Sequence, residues 1–307
     1  MEPISIQIGK YLEYCEKNKK LSANTLRAYR IDVDYFLTFL SENSLMNEAA
    51  EKIGKETIQL FVNKLIENYA PRTCKRKIAC IKAFFNYLEF TDVILVNPFR
   101  KVHLAIKENV VLPKVIKCSD VKLQLAYIYK SLQDARTERQ LFYAWRMVAV
   151  YELLLSTGIR IGELCHMNIS SIDFDNKSIR IIGKGGKERT IYLVSDTVIR
   201  ALESYLQRRS SNSDYLFINW NKHRMSEDSI RKEILSIGKK VVHRRITPHM
   251  FRHTFATMLL ERNVNINYIQ ELLGHSSVKT TQIYLHVANF ALRTALENAN
   301  LRERMVS

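Results

Sequence analysis

The chain has 307 residues, 47% of them hydrophobic, and carries 47 Lys and Arg against 31 Asp and Glu, a net charge of +16. That much apolar material fills one large or two medium cores, and a surface this basic points away from cationic partners and toward a polyanion, most commonly nucleic acid. Five cysteines without a CxxC pair argue against a zinc or disulfide framework, and the apolar run 147–155 is too short to cross a bilayer.

The first residues lack the apolar core of a signal peptide, so the expectation is a cytoplasmic protein in a reducing compartment, with no membrane partner. Residues 1–107 are net +5 and residues 108–307 net +11, so both halves suit the same ligand.

Hydrophobic periodicity predicts helices over 8–20, 22–43, 55–69 and 71–90. Ser22 is placed to cap the second, with Leu26, Tyr29, Val33, Phe36, Leu37 and Leu40 inward, and Pro71 opens the fourth. No strand pattern interrupts them, so residues 1–92 are predicted to form a helical bundle. The fourth helix sets Arg72, Lys75, Arg76 and Lys82 opposite Ile78, Ile81, Phe85 and Leu88. A basic helical face is often merely solvated. Here Thr25, Arg27 and Arg30, near the start of the second helix, add a further basic start. The two together are a candidate DNA-binding surface.

Residues 93–117 lose the periodicity, contain two prolines and read as a basic linker. In the second domain, 118–307, helical patterns run over 119–134, capped by Ser119, and over 138–158. Alternating strands over 171–183 and 184–194 are joined by glycine-rich turns, and the chain after Ser195 reads as helical again. The predicted fold is therefore mainly α with a small antiparallel β-sheet.

Polar residues in the second domain sit at structural punctuation. Arg160 and Glu163 follow Gly158 at the end of a long apolar helix, Lys184 lies among Gly183, Gly185 and Gly186, and His275 follows Gly274, with Tyr284 nine residues beyond it. Thr247 and Pro248 open a helix whose Phe251, Phe255, Met258 and Leu259 form a buried stripe, while His249 and Arg252 share a face of its first turn. An imidazole and a guanidinium at the positive end of a helix dipole are unfavourable unless an anion binds there. Singly, each group has an ordinary explanation: a helix ion pair, a turn lysine, a capping histidine, a core tyrosine. His249 and His253 have zinc-site spacing, but HMFRH lacks the glutamate of HExxH and puts an arginine between them, so no metal is expected. No GxxxxGK[ST] suggests a nucleotide, and no cofactor is expected. Jointly, two arginines, a lysine, two histidines and a tyrosine suit a phosphate.

In their order, TGIRIGEL, GKGGKER, HMFRHTFAT and LGHSSVKTTQIYLH resemble the tyrosine recombinases, the phage-integrase and Xer-type family, over essentially all of the second domain. The helical first domain resembles that family's core-binding, SAM-like domain. The resemblance implies that Tyr284 attacks a DNA phosphate to give a 3′-phosphotyrosyl bond. Arg160 and Arg252 would clamp the non-bridging oxygens, His249 would take the tyrosyl proton, His275 would donate to the phosphate, and Lys184 would protonate the departing 5′-oxygen. Glu163 would orient its neighbours. It further implies a homo-tetramer on two duplexes carrying paired inverted-repeat core sites, close to the bacterial nucleoid, with the C-terminal helix packing in trans. Integration, excision, transposon resolution and chromosome-dimer resolution stay open, as do an accessory protein and a second recombinase. The competing expectations are a type IB topoisomerase activity and a DNA-binding regulator that retains only the fold.

Overall fold

A computed structural model describes residues 2–107, 113–183 and 186–274. The chain divides into two compact units, Met1–Val110 and Val111–Ser307. In the first, helix α1 (Ile4–Lys17) starts and ends several residues before the span read from the sequence, while α2 (Ala23–Glu42), α3 (Lys55–Asn68) and α4 (Pro71–Phe90) follow the predicted pattern. Ser22 caps α2 by accepting from the Thr25 N–H at 3.3 Å. Proline opens α4, where its missing N–H is not needed. The core is aromatic: Phe36 meets Phe61 edge-on at 4.8 Å and packs on Phe85, which touches Phe99.

One buried feature of this unit runs against the periodic reading. Asp32 and Lys77 are both inside, joined at 3.2 Å, with the ammonium lying 4.6 Å from the Tyr35 ring centre and 5.1 Å from that of Tyr69. The aromatic faces and the carboxylate together replace the water that Lys77 gives up.

Two sequence expectations change here. Residues 93–107, read as linker, pack largely on the first unit. Ile94 and Phe99 are buried, and Asn97 starts a 3-10 turn, Pro98–Lys101, by accepting from the Phe99 N–H at 2.9 Å. Apolar side chains without a helical period still find a core, which periodicity does not register. On the other side of residues 108–112, Ile116 is buried in the second unit and its N–H donates to the Thr254 hydroxyl at 2.8 Å.

The second unit is built around α6 (Glu138–Thr157), which packs against α5 (Cys118–Asp134), α8 (Asp196–Arg208) and α10 (Pro248–Glu261). Because α6 is surrounded, Val148, Ala149, Val150, Tyr151, Leu153 and Leu154 are all buried. Lys117, not Ser119, occupies the α5 N-cap, without a side-chain bond, and Thr247 likewise caps α10 by backbone geometry alone. In α10, Phe251 and Leu260 are buried while Met258 is exposed, so the stripe is narrower than the spacing suggests.

A short helix, α7 (Ile161–His166), leads to a three-stranded antiparallel sheet of β1 (Ile172–Asp173), β2 (Ser178–Ile182) and β3 (Glu188–Tyr192), in that order. Ile179 pairs with Ile191 and Ile181 with Arg189, so the isoleucines face the core. The helical reading after Ser195 fails for 209–226. There the chain forms isolated bridges, Asn168 with Tyr215 and Ile218 with Arg224, and buries Leu216, Phe217 and Met225. Helices α9 (Glu227–Val242) and α11 (Ile266–Leu273) complete the described part. Among the described residues no helix is long and apolar enough to cross a membrane.

Candidate active site

Gly158 ends α6 in the left-handed region, φ +58°, which turns the chain sharply into α7. Arg160 is the residue before that helix, and the Glu163 carboxylate accepts from its backbone N–H at 2.8 Å and from its guanidinium at 2.8 Å. The pair is thus more than an ion pair on a helix face. Glu163 closes the first turn and holds the arginine over it.

Glu163 also takes both forks of Arg189, at 3.0 and 2.8 Å. Burial by itself pushes its carboxyl up, but the hydrogen bonds from Arg189 and from the Arg160 backbone and side chain hold it below the usual carboxylate range. Glu163 is therefore an anion between two cations.

The end of α11 gathers the arginines. Leu272 O accepts from Arg189 Nε at 2.8 Å, Leu273 O from Arg252 Nη2 at 2.5 Å, and Gly274 O from Arg160 Nη2 at 3.0 Å. The last carbonyls of a helix lack intrahelical partners and carry the negative end of its dipole, so each is a natural seat for a guanidinium. Arg252 is buried and also donates to Gly158 O at 2.9 Å, tying the α6 terminus to the α11 terminus.

An open cleft of about 1280 Å³ is lined by Arg160, Glu163, Gly183, Arg189, His249 and Gly274, among others. Arg252 sits behind it. His249 is held below the ordinary histidine range by burial, then by the charges of Arg252, Arg231 and Arg160, so at neutral pH its ring is an acceptor as well as a donor. His253 lies 6.5 Å from it, ring centre to ring centre, and is pushed down to about 4 by burial and then by His249 and Arg252.

The structure therefore brings Arg160, Glu163, His249 and Arg252 together. Lys184, His275 and Tyr284 lie outside the described residues. The residues next to two of them do not: Gly183, whose N–H donates to Lys187 O at 2.7 Å, and Gly274 both line the cleft. Sequence reading missed Arg189 and Arg231. Arg189 had a signal, because on a strand it shares the face of Ile191, and an arginine in a core-facing register must have a partner.

The basic candidates of the first unit divide. Arg27, Arg72 and Lys82 are exposed, Lys75 is on the surface, and Thr25 bonds the Ser22 hydroxyl at 2.8 Å. Arg30 reaches Glu16 at 3.4 Å. Arg76 is not simply part of a solvated basic face: it is salt-bridged to buried Asp32, which commits much of its charge within the protein.

Residues 128–290 match the model of the phage integrase family, and residues 8–90 match that of the phage integrase N-terminal SAM-like domain. A tyrosine recombinase of Agathobacter rectalis is 41% identical over 309 residues, covering 99% of this chain and 99% of its own. The chain belongs to the phage integrase family of tyrosine recombinases. The recombinase XerD of Listeria innocua is 32% identical, covering 93% of this chain and 95% of its own. Among solved structures, the XerH site-specific recombinase in a pre-cleavage complex with its difH substrate shares the fold, with a TM-score of 0.72 and 22% identity over 95% of this chain and 83% of that one. This protein is thus a site-specific recombinase of mainly helical fold with a small antiparallel sheet. The topoisomerase alternative gains no support from these relatives.

Proposed function

We propose that the recombinase cuts and rejoins double-stranded DNA at paired inverted-repeat core sites, with Tyr284 as nucleophile. The phenol oxygen bonds to the scissile phosphorus, the P–O5′ bond breaks, and a 3′-phosphotyrosyl link and a free 5′-hydroxyl result. His249 takes the phenolic proton and Lys184 gives one to the departing O5′. Presenting a phenolate at pH 7 costs roughly 4 kcal/mol, since free tyrosine titrates near ~10. Arg160 and Arg252 offset that cost and also meet the charge growing on the non-bridging oxygens, and His275 adds a hydrogen bond. Attack by a second 5′-hydroxyl reverses the step onto a new strand, so the phosphodiester energy is kept and no metal or nucleotide is called for.

The observation that carries this reading is the seating of three arginines on the carbonyls of Leu272, Leu273 and Gly274, immediately before His275, with Arg160, Arg189 and Gly274 on the wall of the cleft that holds His249, and Arg252 behind it. Cations held this way attract an anion, and a flat guanidinium matches a phosphate.

Residues 1–92 act as the core-binding domain, with Thr25, Arg27, Arg30, Arg72, Lys75 and Lys82 facing DNA and Arg76, committed to Asp32, adding only the rest of its charge, and 118–307 as the catalytic domain. Four copies assemble on two duplexes, with the segment after Tyr284 packing in trans, in the cytoplasm where the DNA lies. An accessory protein or a second recombinase is compatible with this scheme. On a nicked suicide substrate, Tyr284→Phe keeps DNA affinity and yields no covalent adduct. An adduct from that variant would overturn the assignment.

A further inference from the structure

We propose that Arg189 is a positioning residue for Arg160, and that it keeps the arginine–glutamate pair able to hold an anion. The inference rests on the phosphate-cleaving reading of the cleft. Arg160 and Glu163 alone are a neutral pair, and a carboxylate 2.8 Å from a guanidinium cancels most of its field at a nearby phosphate. Arg189 supplies a second positive charge on the same carboxylate, bonding both of its oxygens, so the trio is net +1.

The geometry makes the arrangement rigid. Arg189 and Glu163 side chains are 9% and 7% exposed. Arg189 is held at a third point by Leu272 O at 2.8 Å, and its guanidinium packs so close to Gly274 that a Cβ there would come 2.8 Å from Nη1. Arg160 in turn donates to Gly274 O at 3.0 Å. A closed ring of bonds therefore runs from Arg160 through Glu163 and Arg189 to the α11 terminus and back. Arg189 also stands on β3, five residues after Lys184 in the sequence, so one side chain ties that strand to Glu163 and to the end of α11.

The test uses the full-length chain and measures covalent adduct formation on two suicide substrates, one with an ordinary scissile phosphate and one with a methylphosphonate, which lacks the negative charge. Arg189→Gln slows adduct formation about 10- to 100-fold on the phosphate, the loss seen when a side chain that orients a metal ligand is removed. The loss is several-fold smaller on the methylphosphonate, and site affinity is unchanged. Arg189→Lys restores the charge without the fork and recovers most of the rate. Equal losses on both substrates in Arg189→Gln, or no recovery of the rate in a folded Arg189→Lys, would overturn the proposal and leave Arg189 as structural support. Absence of any adduct from the wild-type chain on the phosphate would instead count against the reading of the cleft itself.

Discussion

His249 is on the wall of the cleft because Pro248 opens α10 there and Phe251 anchors its first turn in the core. Its lowered proton affinity, from burial and then from the neighbouring arginines, has a measurable consequence. As the proposed base, His249 must be unprotonated to act, so cleavage is expected to fall as pH drops through a value below the ordinary 6.5. His249→Gln removes that acid limb and most of the rate. A limb at or above the ordinary value in the wild-type chain would show that another group is titrating. The same sign holds for stability: the unfolded chain takes the proton first, so stability contributed by neutral His249 is present above that value and is lost as pH falls.

The residues proposed for the chemistry were legible one by one, as polar groups at helix breaks: Arg160, His249, Arg252. Their partners were less so. The Arg160–Glu163 spacing shows on a helical wheel, but that the same carboxylate also serves Arg189 depends on the fold bringing β3 to α7. The buried Lys77 was invisible as such, since a lysine next to Arg76 reads as one more charge on a basic face until Tyr35, Tyr69 and Asp32 are seen around it.

Helix ends do more of the work than helix faces. Gly158 lets α6 stop where α7 must begin, and a Cβ there would come 2.5 Å from the Phe255 ring and 3.2 Å from Leu273. Left-handed strain and crowding add, so Gly158→Ala destabilises the second unit by about 2–4 kcal/mol. Its carbonyl also accepts from Arg252, so cleavage falls with it. Gly9 is the control: it sits inside α1 with open space around it, and Gly9→Ala stabilises the first unit by about 0.5–1 kcal/mol. Urea midpoints measured for each unit's own transition check both, and an unchanged midpoint for Gly158→Ala would contradict the packing. The long amphipathic helices were predictable because burial on one side imposes a period. The strap at 93–107 and the bridges within 209–226 were not, because their buried residues follow no period and are recruited by surfaces made elsewhere in the chain.

Each unit has its own core, and the positive charge is shared between them. For a recombinase, the assembly matters as much as the fold. A chain cut from about residue 288 onward keeps Tyr284 and is expected to form the phosphotyrosyl adduct on a single site, yet to lose the proposed four-copy complex on two duplexes, as read by light scattering and a two-site recombination assay. Intact recombination by the shortened chain would remove the trans-packing role.

By itself the sequence determined the class of partner, the two helical regions, the hairpin and the order of the candidate site groups, because charge, hydrophobic period and turn residues are local properties. Only the tertiary structure decided that Arg189, Arg252 and Arg160 seat on three successive carbonyls of one helix end, and that one glutamate lies between two of them. Those contacts join residues up to 114 positions apart. No local pattern encodes such a distance; it is set by which apolar surfaces must be buried together.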